Sequence, residues 1–308
     1  MAVSQQAAEL GHVRIEPELP PRPVAERSTI ANVLVGITGT PALPAKIELA
    51  IDLHRTHGAA ITGLSIIDMA RLDAGTSVPI GAISYAKQMR DRRFNVSRTR
   101  AIAALDTFAK GCRAADVPVD VRLVEDEPVE VISNEAHFSD LIVLPVDGWF
   151  SYGLLSDAET RLSEVLLRGA GPILAIGEAY TPTQEVVVGL DGSLAAANAF
   201  RSFVRMGLWP DAKLHLVHAV EEGWPERETA VSEMMDKALS YANRFGRQAV
   251  AHVMAGSAND AFHGIIRETG AKAAVLGSDR RRLFADKRLT ATTKKLTRDD
   301  GISVLIVG

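Results

Sequence analysis

Three stretches of the chain carry residue types that could hold a polar ligand, such as an anion or its hydroxyl groups. Asp191-Gly192-Ser193 offers a carboxylate, a glycine and a hydroxyl directly after the apolar run Val186-Val187-Val188-Gly189-Leu190. Gly277 is followed by a strongly basic segment, Arg280-Arg281-Arg282 and then Lys287-Arg288. Thr290 and Thr292 stand at the head of a helix expected over residues 291–299. Guanidinium groups hold phosphate or carboxylate through charge-assisted hydrogen bonds, and threonine hydroxyls at a helix start add donors. Each stretch also has a plainer reading. An aspartate before Gly-Ser forms a turn and caps the helix behind it. A basic loop is solvated, or pairs with acidic residues of a partner. Both readings stay open at this level.

Catalytic chemistry finds no foothold. The sequence contains no Gly-x-Ser-x-Gly elbow, no Walker loop and no Gly-x-Gly-x-x-Gly fingerprint. Ser151 and Ser193 lie in turns without evident His–Asp partners. Among the eight histidines, His54 and His57 lie at a helix end, where a cation suits the dipole, and neither is joined by Cys or carboxylate at metal-binding spacing. His215 and His218 are three apart on an expected strand, so they face opposite sides of the sheet. No metal site is expected. The reading is of a binding protein, with weak ATP hydrolysis as the most that enzymology would find.

The elements that must position these residues are written twice. Val33-Leu34-Val35-Gly36-Ile37-Thr38-Gly39 recurs as Val186-Val187-Val188-Gly189-Leu190-Asp191-Gly192. Leu141-Ile142-Val143-Leu144-Pro145 is echoed by Ala273-Ala274-Val275-Leu276-Gly277, and Pro172-Ile173-Leu174-Ala175-Ile176-Gly177 by Ser303-Val304-Leu305-Ile306-Val307-Gly308. Three echoes in one order indicate a duplicated unit. Apolar strands alternating with helical patterns predict parallel sheets covered on both faces, with right-handed crossovers and ligands beyond the carboxyl ends of the strands. The expected fold class is α/β, two doubly wound Rossmann-like domains over residues 30–178 and 185–308, packed as an internal pseudo-dimer.

At 308 residues the chain accommodates two such cores. The formal net charge of −4 offers no electrostatic case for nucleic acid or an anionic membrane. Lys87, Arg90, Arg92, Arg93, Arg98 and Arg100 fall on a long helix expected over residues 84–115 and read as a solvated face. The single cysteine, Cys112, suits a reducing, cytoplasmic setting. Residues 1–29, polar and proline-bearing, are expected to be a flexible arm. Trp149, Phe150 and Tyr152 cluster after the first unit's fourth strand, where aromatics often mark an interface; they are expected to pack against the other repeat or another subunit, with a lipid or small apolar ligand as the alternative.

The paired openings and closings quoted above resemble a tandem universal stress protein over about residues 30–308. In nucleotide-binding members a first-strand aspartate helps hold the nucleoside, and a loop Gly-x2-Gly-x9-Gly-Ser/Thr after the fourth strand wraps ribose and phosphates. The resemblance places Asp191, Gly192 and Ser193 at the first-strand turn, and Ala219 near the adenine pocket beside His218. In the second repeat Gly277 keeps its place, Arg280 replaces the second glycine, and Thr290-Ala291 replaces the final pair. In the first, Thr38 replaces the aspartate, Pro145 replaces the first glycine, and Ala158-Glu159 stands where Gly-Ser would be. Asp157 and Glu159 add negative charge to a helix start that a phosphate would need. The resemblance therefore implies a stress-response regulator with ATP or another adenine nucleotide in the second repeat only, and magnesium only alongside nucleotide. Its partner is that nucleotide or another protein, and a homodimer of the chain fits the family. The alternative is a ligand-free interaction module with vestigial sites.

Overall fold

The computed structural model describes residues 12–15, 30–73, 83–145, 149–150, 152, 158–220, 228–278, 295–296 and 301–308. By backbone contacts the chain divides into two units, one of residues 30–180 with 293–301, the other of residues 1–29, 181–292 and 302–308.

The first secondary element is strand β1, His12–Ile15. The first unit then runs β2 (Asn32–Gly36), α1 (Leu43–His57), β3 (Ala60–Asp68), a short α2 (Met69–Asp73), α3 (Ile83–Arg113), β4 (Val119–Asp126), α4 (Pro128–Glu135), β5 (Leu141–Pro145), α5 (Ala158–Leu167) and β6 (Ile173–Ile176). Its sheet is parallel throughout, in the order β6-β5-β2-β3-β4. Runs of β-branched and aliphatic residues make the inner strands two-sided and dry: every residue of β5 and β6 is buried. Glycine sets one close approach. A Cβ on Gly63 of β3 would stand 2.9 Å from the Phe108 ring of α3.

The second unit runs β7 (Glu185–Gly189), α6 (Leu194–Met206), β8 (Lys213–Val220), α7 (Glu228–Arg244), β9 (Ala249–Ala255), α8 (Ala258–Thr269), β10 (Ala273–Gly277) and β11 (Ser303–Val307). Strands β9-β8-β7-β10-β11 repeat the order of the first unit and are parallel. Helix ends follow local chemistry. Ser193 and Ser257 accept from Ala196 N and Asp260 N, both at 3.1 Å, and Gly207 and Gly270 close the same helices in the left-handed conformation.

Two expectations are revised. His12–Ile15, within the segment read as a flexible arm, adds to β9 as an antiparallel edge strand with His12 opposite Met254 and Ile15 opposite Ala251. A four-residue alternating segment suffices, because β9 would otherwise present a bare row of amides and carbonyls. Trp149, Phe150 and Tyr152, expected to pack on the other repeat or another subunit, are 0%, 2% and 5% exposed and bond to Pro145, Ile37 and Ser65 or approach Gly36 and Gly39 of their own unit. The helix expected over residues 291–299 falls almost wholly outside the described residues.

Candidate functional site

In each unit the strand order reverses between the first strand and the fourth, so the crevice lies at the carboxyl ends of β2 and β5 in one, and of β7 and β10 in the other. The second crevice is built as follows. Beyond β7, Leu190 N donates to Val217 O at 2.9 Å, which carries the chain past the strand end. Asp191 Oδ1 then accepts from Ser193 N at 2.8 Å, Gly192 turns with φ 81°, and Ser193 caps α6. The plainer reading of Asp-Gly-Ser is thus realised. It engages one carboxylate oxygen of an exposed residue, and no hydrogen bond to the other is found among the described residues.

Gly277 ends β10 against the first turn of α6. A Cβ there would stand 2.4 Å from Ala195 C and 2.5 Å from Ala196 N. Its glycine identity is therefore explained by helix–strand packing, without a phosphate. Asp191, Gly192, Ser193 and Gly277 are brought together through that turn of α6. Ala219 lies apart, near the end of β8 opposite Met254. Its neighbour His218 has Nδ1 donating to Leu190 O at 2.6 Å, at the start of the Asp191 turn. Arg280, Thr290 and Thr292 lie outside the described residues.

One residue escaped the sequence reading. Ser278, directly after Gly277, is 3% exposed, and its hydroxyl has no hydrogen-bond partner among the described residues. A buried hydroxyl without a partner costs about 1–3 kcal/mol, so it marks a place where a water or ligand is wanted. The only sequence signal was its position after the glycine. Ser278 Oγ can donate or accept, whereas the second Asp191 oxygen only accepts, so a hydroxyl-bearing group such as a ribose suits these residues better than a bare phosphate.

The first crevice is filled from within. Tyr152 Oη donates to Ile37 O at 2.9 Å and also contacts Ser65 Oγ, whereas Trp149 Nε1 donates to Pro145 O at 2.6 Å. Phe150 and Gly36 approach closely, and Tyr152 lies over Gly39, each ring standing 3.1–3.5 Å from where a Cβ would be. Phe150 and Tyr152 hold φ of 47° and 41°, costing about 1–3 kcal/mol apiece, so the surrounding contacts outweigh the strain. Arg100 Nη1 donates to Tyr152 O at 2.6 Å and clamps the turn. Burial pushes the Tyr152 phenol far up, with its hydrogen bonds opposing.

Beneath this plug sits Lys46, a cation in the first turn of α1 that is 1% exposed. Its Nζ donates to Gly36 O at 2.6 Å and to Thr38 Oγ1 at 3.0 Å. Desolvation lowers its amine to about 7. In the second unit the same place along the repeat holds Ala199, and Asp191 stands where Thr38 does. Nearby, Arg161 Nη2 meets Asp68 Oδ2 at 2.5 Å, tying α5 to the end of β3. Tyr152 and Phe150 stand in this crevice, and the Lys46 amine is taken up by Gly36 O and Thr38 Oγ1. Of the two acidic residues expected to repel a phosphate, Asp157 lies outside the described residues, and Glu159 is placed only by its backbone, in the first turn of α5.

His215 and His218 do fall on opposite faces of β8. Among the described residues no group of three or more His, Cys, Asp or Glu is arranged to hold a metal, and no helix is long and apolar enough to cross a membrane.

Residues 182–308 match the family described as Universal stress protein family. A universal stress protein from Archaeoglobus fulgidus DSM 4304 superposes with a TM-score of 0.61 at 18% identity, covering 90% of this chain and 95% of that one. A functionally unknown protein from Pseudomonas aeruginosa PAO1 gives 0.57 at 16% identity, over 90% and 92% of the two chains. No curated protein matches the sequence. The carboxyl-terminal 182–308 thus form one universal stress protein domain, and the chain has the mostly parallel α/β fold of those proteins.

Proposed function

We propose that this chain is a stress-response regulator built from two universal stress protein units, of which the second binds an adenine nucleotide such as ATP. The observation that carries this reading is the buried, unpartnered Ser278 hydroxyl directly after Gly277, the residue packed on the first turn of α6. In this reading Asp191 and His218 hold the nucleoside. Arg280, Thr290 and Thr292 neutralise and bond the phosphates, and any magnesium arrives with the nucleotide. The first unit contributes no site, because its own side chains occupy the crevice. A cytoplasmic setting and the absence of efficient turnover belong to the same proposal. Equilibrium dialysis of purified protein against ATP tests it. Binding at or below millimolar ATP is expected, with Asp191→Ala and Arg280→Glu each weakening it and Thr38→Ala leaving it unchanged.

A second reading takes the two crevices as vestigial and the chain as a protein-interaction module. It is favoured by Asp191 and Gly277, both of which local structure explains without a ligand. Dialysis that detects no nucleotide at millimolar concentration selects it.

A further inference from the structure

Helix α3 is the longest element described, 31 residues and so about 46 Å from end to end. One face is taken. Ser97, Ala101, Ala104, Leu105 and Phe108 are buried where the helix packs on β3 and β4, and the Phe108 ring closes on Gly63. The opposite face is exposed, and it is not simply polar. Of the five large hydrophobic residues exposed among the described residues, three lie on α3: Tyr85, Val96 and Ile102, at 64%, 43% and 45% exposure. Single exposed apolar residues are ordinary, but three along one helix begin a contact surface.

The pattern about Thr99 says what that contact is. At 3.6 residues per turn, Tyr85, Arg92, Val96, Ile102, Asp106 and Arg113 all point within about 60° of Thr99 around the axis. They also come in pairs, equally spaced before and after it. Val96 stands three residues before Thr99 and Ile102 three after; Arg92 stands seven before and Asp106 seven after; Tyr85 stands fourteen before and Arg113 fourteen after. The members of each pair suit one another: aliphatic with aliphatic, cation with carboxylate, ring with guanidinium. All are exposed, and Thr99 between them has its hydroxyl donating to Asn95 O at 2.8 Å, so it leaves no bond unmet when covered. A two-fold axis at Thr99 sets a second α3 antiparallel on the first and brings each residue opposite its complement twice. A parallel pair would face Arg92 with Arg92 and Asp106 with Asp106.

Neighbouring charges do not oppose this docking. Arg98 and Arg100 flank Thr99 but point to the sides, where Arg98 lies 3.6 Å from Glu125 and Arg100 Nη1 donates to Tyr152 O at 2.6 Å. Lys110 lies 2.7 Å from Asp106 of its own helix and faces Gln88 of the other copy. We propose that the outer face of α3 is a docking surface for a second copy of this chain, the two α3 helices packing antiparallel about Thr99. With one helix pair at its centre it belongs to the smaller interfaces, about 1,200 Å² in total, with a dissociation constant on the order of micromolar. It requires no nucleotide, so it stands or falls apart from the reading of the second crevice.

Sedimentation velocity of the full chain tests it. At about 100 μM, above a micromolar constant, wild type is expected to sediment with twice the mass of one chain. Arg92→Asp and Asp106→Arg should each weaken association at least about tenfold, because each sets like charges opposite one another twice. Mixed together, the two variants are expected to pair again, since every such contact then joins opposite charges. Misfolding cannot produce that restoration. Thr99→Cys is expected to cross-link two copies under a mild added oxidant, because facing helices leave the Cα atoms at the axis about 5 Å apart; Cys112 is buried and offers no competing thiol. A wild type that stays monomeric overturns the proposal and leaves the face to another partner. A dimer that neither charge variant weakens overturns it too, as do single variants that fail to pair on mixing. Should the charge variants not fold, absence of the cross-link in Thr99→Cys has the same force.

Discussion

Lys46 is the residue whose environment departs most from its type. Lysine ordinarily buries only its aliphatic stem and keeps the charged head in water. The structure instead sinks its amine beneath Thr38, with two oxygens for partners. The stability consequence has a definite sign. Folding lowers the amine from 10.5 to about 7, so above that value the unfolded chain binds the extra proton. The penalty for burying the charge is complete below about pH 7, fades as pH rises, and is gone above about 10.5. Stability of the first unit should therefore climb across that window. Urea midpoints of wild type and Lys46→Met across the same range check this: the variant is expected to lose that component of the slope and to be the more stable protein at neutral pH. Equal slopes would show that the amine is not desolvated.

At the scale of elements, helix and strand identities were legible because hydrophobic period and glycine punctuation agree along both repeats. The long helix expected over residues 84–115 appears as Ile83–Arg113. What sequence left unreadable depends on contacts between distant segments. Nothing local announces that His12–Ile15 pairs with β9, since four alternating residues in a proline-bearing segment carry little signal. Nothing local says that Trp149 and Tyr152 turn inward; an aromatic loop packs on its own sheet or on a neighbour with equal chemical reason. Gly277, which the family resemblance places in a phosphate loop, also has a constraint that sequence did not show, the backbone of α6. Gly277→Ala must push α6 away from β10 and is expected to cost about 1–3 kcal/mol, read as a lower thermal midpoint without ligand. A neutral result would return Gly277 to the role that its motif suggested.

Within the molecule, two units with one strand order differ at the same point of the fold. The first spends its crevice on Tyr152, Phe150 and Lys46; the second keeps Asp191 exposed and Ser278 unpartnered. The divergence was partly visible as Thr38 against Asp191, but its physical content, a plug and a buried amine, was not. The basic segment with Arg280, Thr290 and Thr292 lies outside the described residues, so its part in the site rests on sequence.

The central claim is that only the second crevice is open to a nucleotide, and amide exchange with and without saturating ATP addresses it most directly. The account predicts new protection at residues 190–196 and 277–278 and none at residues 36–40 or 149–152. Protection centred on residues 36–40 would contradict it, as would a chain whose exchange ATP leaves unchanged throughout.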